Sequence, residues 1–199
     1  MLKTLFYNSR KFFFGGILSF ITFCLILLNQ SCTPDAKSEA DNGDINGMIL
    51  YRYDSSGSYF IDSFKAIDYT PSVSSDSIIP DTIKIRANRS FVFKVKLVKV
   101  NESTRALTDV TNEIWVLRDQ HNLVFFPTTT VANLSISYLD IDSRGYPVGF
   151  TTRWKATNTA SILVLADLRH LPTAKTPDPN VNLDLGSSDF NIRFPTIIQ

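Results

Sequence analysis

The stretch RSFVFKVKLVKV, residues 89–100, decides the fold. Phe91, Phe93, Val95 and Leu97 fall on one side of a period-two chain, and Lys94 and Lys96 fall on the other. A helix would scatter these residues around its axis. A pleated strand sends alternate side chains to opposite faces and segregates them. At Val98 and Val100 the phase changes. Two readings fit that change: a β-bulge near 97–98, or a strand whose end is buried on both faces.

The same period recurs on both sides of this stretch. MILYRY (48–53) and YFIDSFKAI (59–67) flank Asp54-Ser-Ser-Gly-Ser and read as a hairpin. A polar loop with two prolines (69–81) separates them from the short strand TIKIR (82–86). NEIWVLRD (112–119) and NLVFFP (122–127) read as two further strands, followed by NLSISYLDID (133–142) and VGFTTRWKA (148–156). SILVLAD (161–167) is a continuous apolar run of the kind a central strand carries. LPTAKTPDPN (171–180) is a proline-rich excursion, and the last strand points Phe190, Ile192 and Phe194 inward. About nine strands and no helical pattern predict an all-β, antiparallel sandwich in which each sheet covers the other's apolar face, with a closed barrel as the competing architecture.

Composition agrees. Sixteen of the 19 acidic residues are Asp, which suits turns and disfavours helix interiors. The N-terminus is different in kind. Lys3, Arg10 and Lys11 precede an apolar run from Phe12 to Leu28, which predicts an export signal over residues 1–31. An uncleaved membrane helix is the alternative, because seventeen residues is the lower edge of what crosses a hydrocarbon layer of ~30 Å. Residues 32–47 are polar and predict a flexible tether, leaving 48–199 as one domain. Beyond residue 31 there are 17 basic side chains against 19 acids, an excess of two negative charges, with no basic block to suit nucleic acid. Cys24 falls in the signal and Cys32 directly follows it, so the domain holds no thiol for a disulfide, a catalytic nucleophile or a cysteine-based zinc site.

The segment LLNQSC, ending at Cys32, resembles the lipobox of bacterial lipoproteins, although Asn29 and Gln30 replace the aliphatic and small residues of the strict pattern. The resemblance implies cleavage before Cys32 and attachment of lipid, palmitate included, to that residue. It also implies a membrane-anchored protein of the cell envelope. Thr33, where an inner-membrane retention signal would place Asp, implies the outer membrane. A second resemblance covers residues 83–167. LTDVTNEIW (107–115), followed by GFTTRWKATNTASILVLA (149–166), is similar to bacterial immunoglobulin-like domains, and implies an Ig-like sandwich.

No pattern for catalysis or for a cofactor emerges. DIDSRG (140–145) begins like an EF-hand loop, but Arg144 stands where an oxygen ligand is needed and Thr151 cannot chelate bidentately at the twelfth place, so it reads as a strand end and a turn. His121 and His170 have no spacing partner and could act together only if folding joins them. Trp115 and Trp154 lie in alternating segments. Each is either a core residue or a platform for stacking on sugar rings, and these two are the candidate ligand-binding residues. Tyr51, Tyr53, Tyr59 and Tyr69 crowd the first hairpin. Asp76-Ser-Ile and Asp81-Thr-Ile resemble an O-glycosylation motif of exported bacterial proteins. The expected role is therefore non-catalytic: binding an envelope protein or a glycan, or serving as structure. A glycan-uptake module and a small hydrolase are the alternatives.

Overall fold

The computed structural model describes residues 45–69, 78–128, 133–171 and 175–199. The signal segment, Cys32 and most of the tether lie outside these, as does the Asp76 motif. Among the described residues, ten strands form two sheets. In chain order they are β1 (Gly47–Tyr53), β2 (Phe60–Ile67), β3 (Ile83–Ile85), β4 (Arg89–Val100), β5 (Leu107–Asp109), β6 (His121–Pro127), β7 (Leu134–Tyr138), β8 (Thr151–Ala156), β9 (Ala160–His170) and β10 (Ser187–Ile198). Two short helices interrupt them, α1 (Thr111–Val116) and α2 (Pro179–Asn182). One sheet runs β2-β1-β4-β8-β7 with β5 also on β4, and the other runs β3-β10-β9-β6. Every pairing is antiparallel except β3 with β10. The protein is thus an all-β sandwich.

The alternation read in the sequence is what closes it. Phe93 and Trp154, directed inward from β4 and β8, meet with ring centroids 4.4 Å apart. Phe125 of the opposite sheet stands edge-on to Trp154 at 5.6 Å. Around them pack Leu50, Leu97, Leu123, Val164, Leu168 and Phe194, all fully buried. Burying one such side chain contributes about 1.5–3 kcal/mol.

Three expectations change. The register of β4 with β1 continues without a shift through Leu97 and Val98, so there is no bulge. Val98 and Val100 instead join Ile49 and Ile67 in a second buried cluster on the outer side of that sheet, the other of the two readings. Bulges do occur, between Arg52 and Tyr53 and between Ser188 and Phe190. Residues 112–119 are not a strand: Thr111–Val116 is helical and only Ile114 is fully buried. Four apolar residues in succession satisfy either period, and here the chain must cross from β5 in one sheet to β6 in the other, which a helical turn achieves in six residues. The fold also takes in Ile45, Asn46 and Gly47, expected in the tether. Ile45 is buried, and Asn46 caps the sheet by accepting the Val100 N–H at 2.9 Å.

A candidate ligand cleft at Trp115

β4 changes its neighbour along its length. Residues 89–94 pair with β8, and residues 98–100 pair with β5. Between them the ladder is broken and its donors are met otherwise. Val95 N–H donates to the Phe150 carbonyl at 2.9 Å, and Leu97 N–H donates to the Thr111 hydroxyl at 2.9 Å. This gap opens a cleft of about 390 Å³ lined by Asp109, Thr111, Asn112, Trp115 and Phe150.

Each lining side chain has a structural reason to be there. Trp115 projects from α1, half-buried, and stands edge-on to Phe150 with centroids 6.0 Å apart. The Arg118 guanidinium lies 5.2 Å from the Trp115 ring centre, a cation–π contact that fixes the indole's tilt. Phe150 is placed by Gly149, whose φ of +101° lets the chain pass against β6. Asp109 is held by the Thr111 hydroxyl at 2.6 Å, the Thr111 N–H at 3.0 Å and the Lys96 ammonium at 3.2 Å. Burial works against its charge, yet the Thr111 and Lys96 donors together hold its carboxyl below the usual range. Lys96 is raised in turn by its bond to Asp109. The cleft therefore offers an aromatic wall, an ionised acceptor and the exposed amide of Asn112. These are the elements that orient a polar, hydroxyl-rich ring with one apolar face.

The remaining candidates fall elsewhere. Trp154 has no exposed surface, and its indole N–H donates to the Thr152 hydroxyl at 3.0 Å, so it is a core residue and no external ligand reaches it. Folding does bring His121 and His170 together: β6 and β9 pair them, and the rings stack at 4.9 Å with 7° between planes. His121 Nδ1 is 3.0 Å from the Leu117 carbonyl and Nε2 is 3.3 Å from the Asp189 carboxylate, so both ring nitrogens are already engaged. In the 140–145 turn, Asp140 accepts the Gly149 and Thr151 N–H groups, each at 2.9 Å. Burial nevertheless raises its carboxyl. Asp142 accepts the Arg144 and Tyr146 N–H groups, at 2.9 and 2.8 Å, and faces Lys175. Both carboxylates thus close a turn with protein donors. Among the described residues, no group of three or more His, Asp or Glu side chains could hold a metal ion, and no helix is long and apolar enough to cross a membrane.

The signal for the cleft was Asp109-Val-Thr111 placed four residues before Trp115. What sequence could not give was the gap in the β4 ladder that makes room for a ligand. In comparisons with protein-family models, curated proteins and solved structures, nothing matches this chain.

Proposed function

We propose that this chain is an exported lipoprotein of the cell envelope, anchored at the outer membrane through lipid on Cys32, whose sandwich binds a ligand and does no catalysis. The ligand seat is the Trp115 cleft, and the ligand class is a glycan. One observation carries the reading: an aromatic wall and an ionised Asp109 line one cleft at a break in the sheet, together with the exposed Asn112. Within this reading the sandwich is an Ig-like one, supported by the resemblance of residues 83–167.

The cleft is tested by a glycan array and titration calorimetry on the purified full chain in mild detergent. A defined set of sugars should bind, and Trp115→Ala should weaken them at least tenfold with the melting temperature little changed. No binding across the array, or binding indifferent to Trp115, overturns the assignment. The anchor is tested separately. Cells fed labelled palmitate should label the protein, and Cys32→Ala should abolish the label and leave the precursor uncut. Retained label in that variant would remove Cys32 from the account.

A further inference from the structure

The outer face of the six-stranded sheet carries a field of positive charge. Lys65 on β2, Lys94 on β4, and Arg153 and Lys155 on β8 all point outward and are exposed, and Lys96 stands half-buried beside them. Register puts them on neighbouring strands: Tyr51 pairs with Lys94 and Lys94 with Thr151, while Val92 pairs with Arg153 and Ser90 with Lys155. Among the described residues that point outward from β1, β2, β4, β7 and β8, none is acidic. Three acids at the border are committed: exposed Asp81, at the β2 edge, accepts the Lys65 backbone N–H at 2.8 Å. Asp109 pairs with Lys96, and Asp54 accepts the Ser58 N–H at 3.0 Å and the Tyr59 N–H at 3.2 Å within its own turn. The concentration of cations on this face contrasts with a chain that, beyond residue 31, carries more acids than bases.

Aromatic rings are set among the cations. Tyr51, Tyr53 and Phe60 form a contiguous group, with Phe60 6.1 Å from Tyr51 and 5.9 Å from Tyr53. The Lys94 ammonium lies 4.4 Å from the centre of Tyr53. Tyr59, Phe60 and Ile61 are 75, 55 and 45 % exposed at the hairpin tip. Cations two apart on one strand are separated by ~7 Å, and adjacent strands by ~4.8 Å. One carboxylate or phosphate meets few of them at once, so the matching partner repeats its charge along its length.

We propose that this face docks an acidic polysaccharide, a chain of sugars bearing repeated carboxylates. Its carboxylates meet Lys65, Lys94, Arg153 and Lys155, and its C–H faces stack on Tyr53 and Phe60. The ring group on β1 and β2 lies beside the cations of β4 and β8, so the sugar faces and carboxylates of one chain can be met side by side. A lipid surface fits less well. The exposed tip lies at the end of β1 opposite Ile45, where the chain enters the domain, so entry and tip lie at opposite ends of the strand. This inference stands apart from the Trp115 cleft.

The test is retention of the purified full chain, in non-ionic detergent, on immobilised polygalacturonate, with dextran and duplex DNA in parallel, and binding to phosphatidylglycerol vesicles once the detergent is removed. The expected result is binding to polygalacturonate that weakens at least tenfold from ~0.05 to ~0.5 M salt, as screening dictates. Dextran should not retain the chain, DNA should retain it at least tenfold less, and vesicles, which the lipid anchor alone can hold, should retain the parent and Lys94→Glu/Lys155→Glu alike. Lys94→Glu/Lys155→Glu should lose at least tenfold in affinity while its melting temperature is kept. Trp115→Ala should bind polygalacturonate as the parent does, which separates failure of this face from failure of the cleft. No retention on polygalacturonate, equal or better retention by DNA, vesicle retention that falls in the double variant, or full polygalacturonate affinity in the double variant overturns the proposal.

Discussion

The ammonium of Lys175 lies 3.2 Å from the carboxylate of Asp142, and neither side chain has any exposed surface. The same nitrogen is 2.9 Å from the Arg118 carbonyl and 2.9 Å from the His121 carbonyl. Three acceptors meet the three N–H bonds of one lysine. The contact ties three connections of the sandwich together: the α1–β6 link, the 140–149 turn and the segment before α2. Nearby, Asn122 bridges in the same way. Its amide donates to the Pro147 and Val148 carbonyls, and its oxygen accepts from Asn182 at 2.9 Å.

Removing one partner of a buried pair costs about 3–5 kcal/mol; without Lys175, Asp142 keeps the Arg144 guanidinium at 3.3 Å as partial compensation, which places Lys175→Met toward the lower end of that range. Lys175→Met should lower stability by that order in denaturant titration. The double variant Lys175→Met/Asp142→Leu should lose less than the two single variants added together, since no uncompensated charge is left. Strict additivity of the singles would show that the two groups act independently.

The same pair sets a sign for acid denaturation. Burial pushes the Asp142 carboxyl up, but the Tyr146 N–H and Lys175 outweigh it and hold the folded value below 3.8. A lowered carboxyl contributes stability that is complete above its unfolded value and is lost as pH falls through its folded value. Asp140 has the opposite sign: burial raises its folded value, so protonation on the way down favours the fold. The part of the stability that rests on Asp142 should therefore be lost below about pH 4, against the opposite contribution of Asp140. In Asp142→Asn, measured as ΔG of unfolding against pH, that loss should be shallower. An unchanged slope would place the acid-labile contacts elsewhere.

The two tryptophans should report two environments. Trp154 is sealed between Phe93 and Phe125, whereas Trp115 lines an open cleft. In Trp115→Phe the remaining emission should be shifted to the blue and resist acrylamide quenching; in Trp154→Phe the remaining emission should be readily quenched. Trp154→Ala should cost about 3–5 kcal/mol, the loss of a large side chain from a close-packed core. Equal quenching of both single-tryptophan variants would contradict this arrangement.

How much of this was legible in the sequence follows from the same residues. Ile136 and Trp154 face each other on β7 and β8, and Phe93 faces Thr152 on β4 and β8. Their period-two spacing was visible because sheet burial is read along a single strand. Trp115 was legible as an aromatic but not as helical, because Ile114–Leu117 fits both periods and the crossing between sheets decided between them. The Lys175–Asp142 pair left no trace, for its members lie 33 positions apart and only the folded loops join them. The basic face was half-visible. Lys94 and Lys96 stood out within β4, but placing Arg153 and Lys155 beside them required the β4–β8 register.

Gly149 links the stability of the fold to the cleft. At φ +101°, a side chain is strained whatever the space available. A Cβ there would also lie 1.9 Å from the Leu123 carbonyl oxygen, an approach no side chain makes. The backbone bond from Leu123 N–H to the Val148 carbonyl, 2.7 Å, holds the two segments at that distance. Gly149→Ala must push the 148–150 segment away from β6 and carry Phe150 with it. It should lower stability by about 3 kcal/mol or more, a large effect for one methyl group, because strain and collision act together. Since Phe150 forms a wall of the cleft, sugar affinity should fall as well, whereas Gly145→Ala should leave affinity unchanged: its φ of +83° is equally strained, but nothing lies within 4 Å of the added carbon. Calorimetric melting together with titration of a bound glycan separates the two variants, and equal affinity in both would detach Phe150 from the ligand seat.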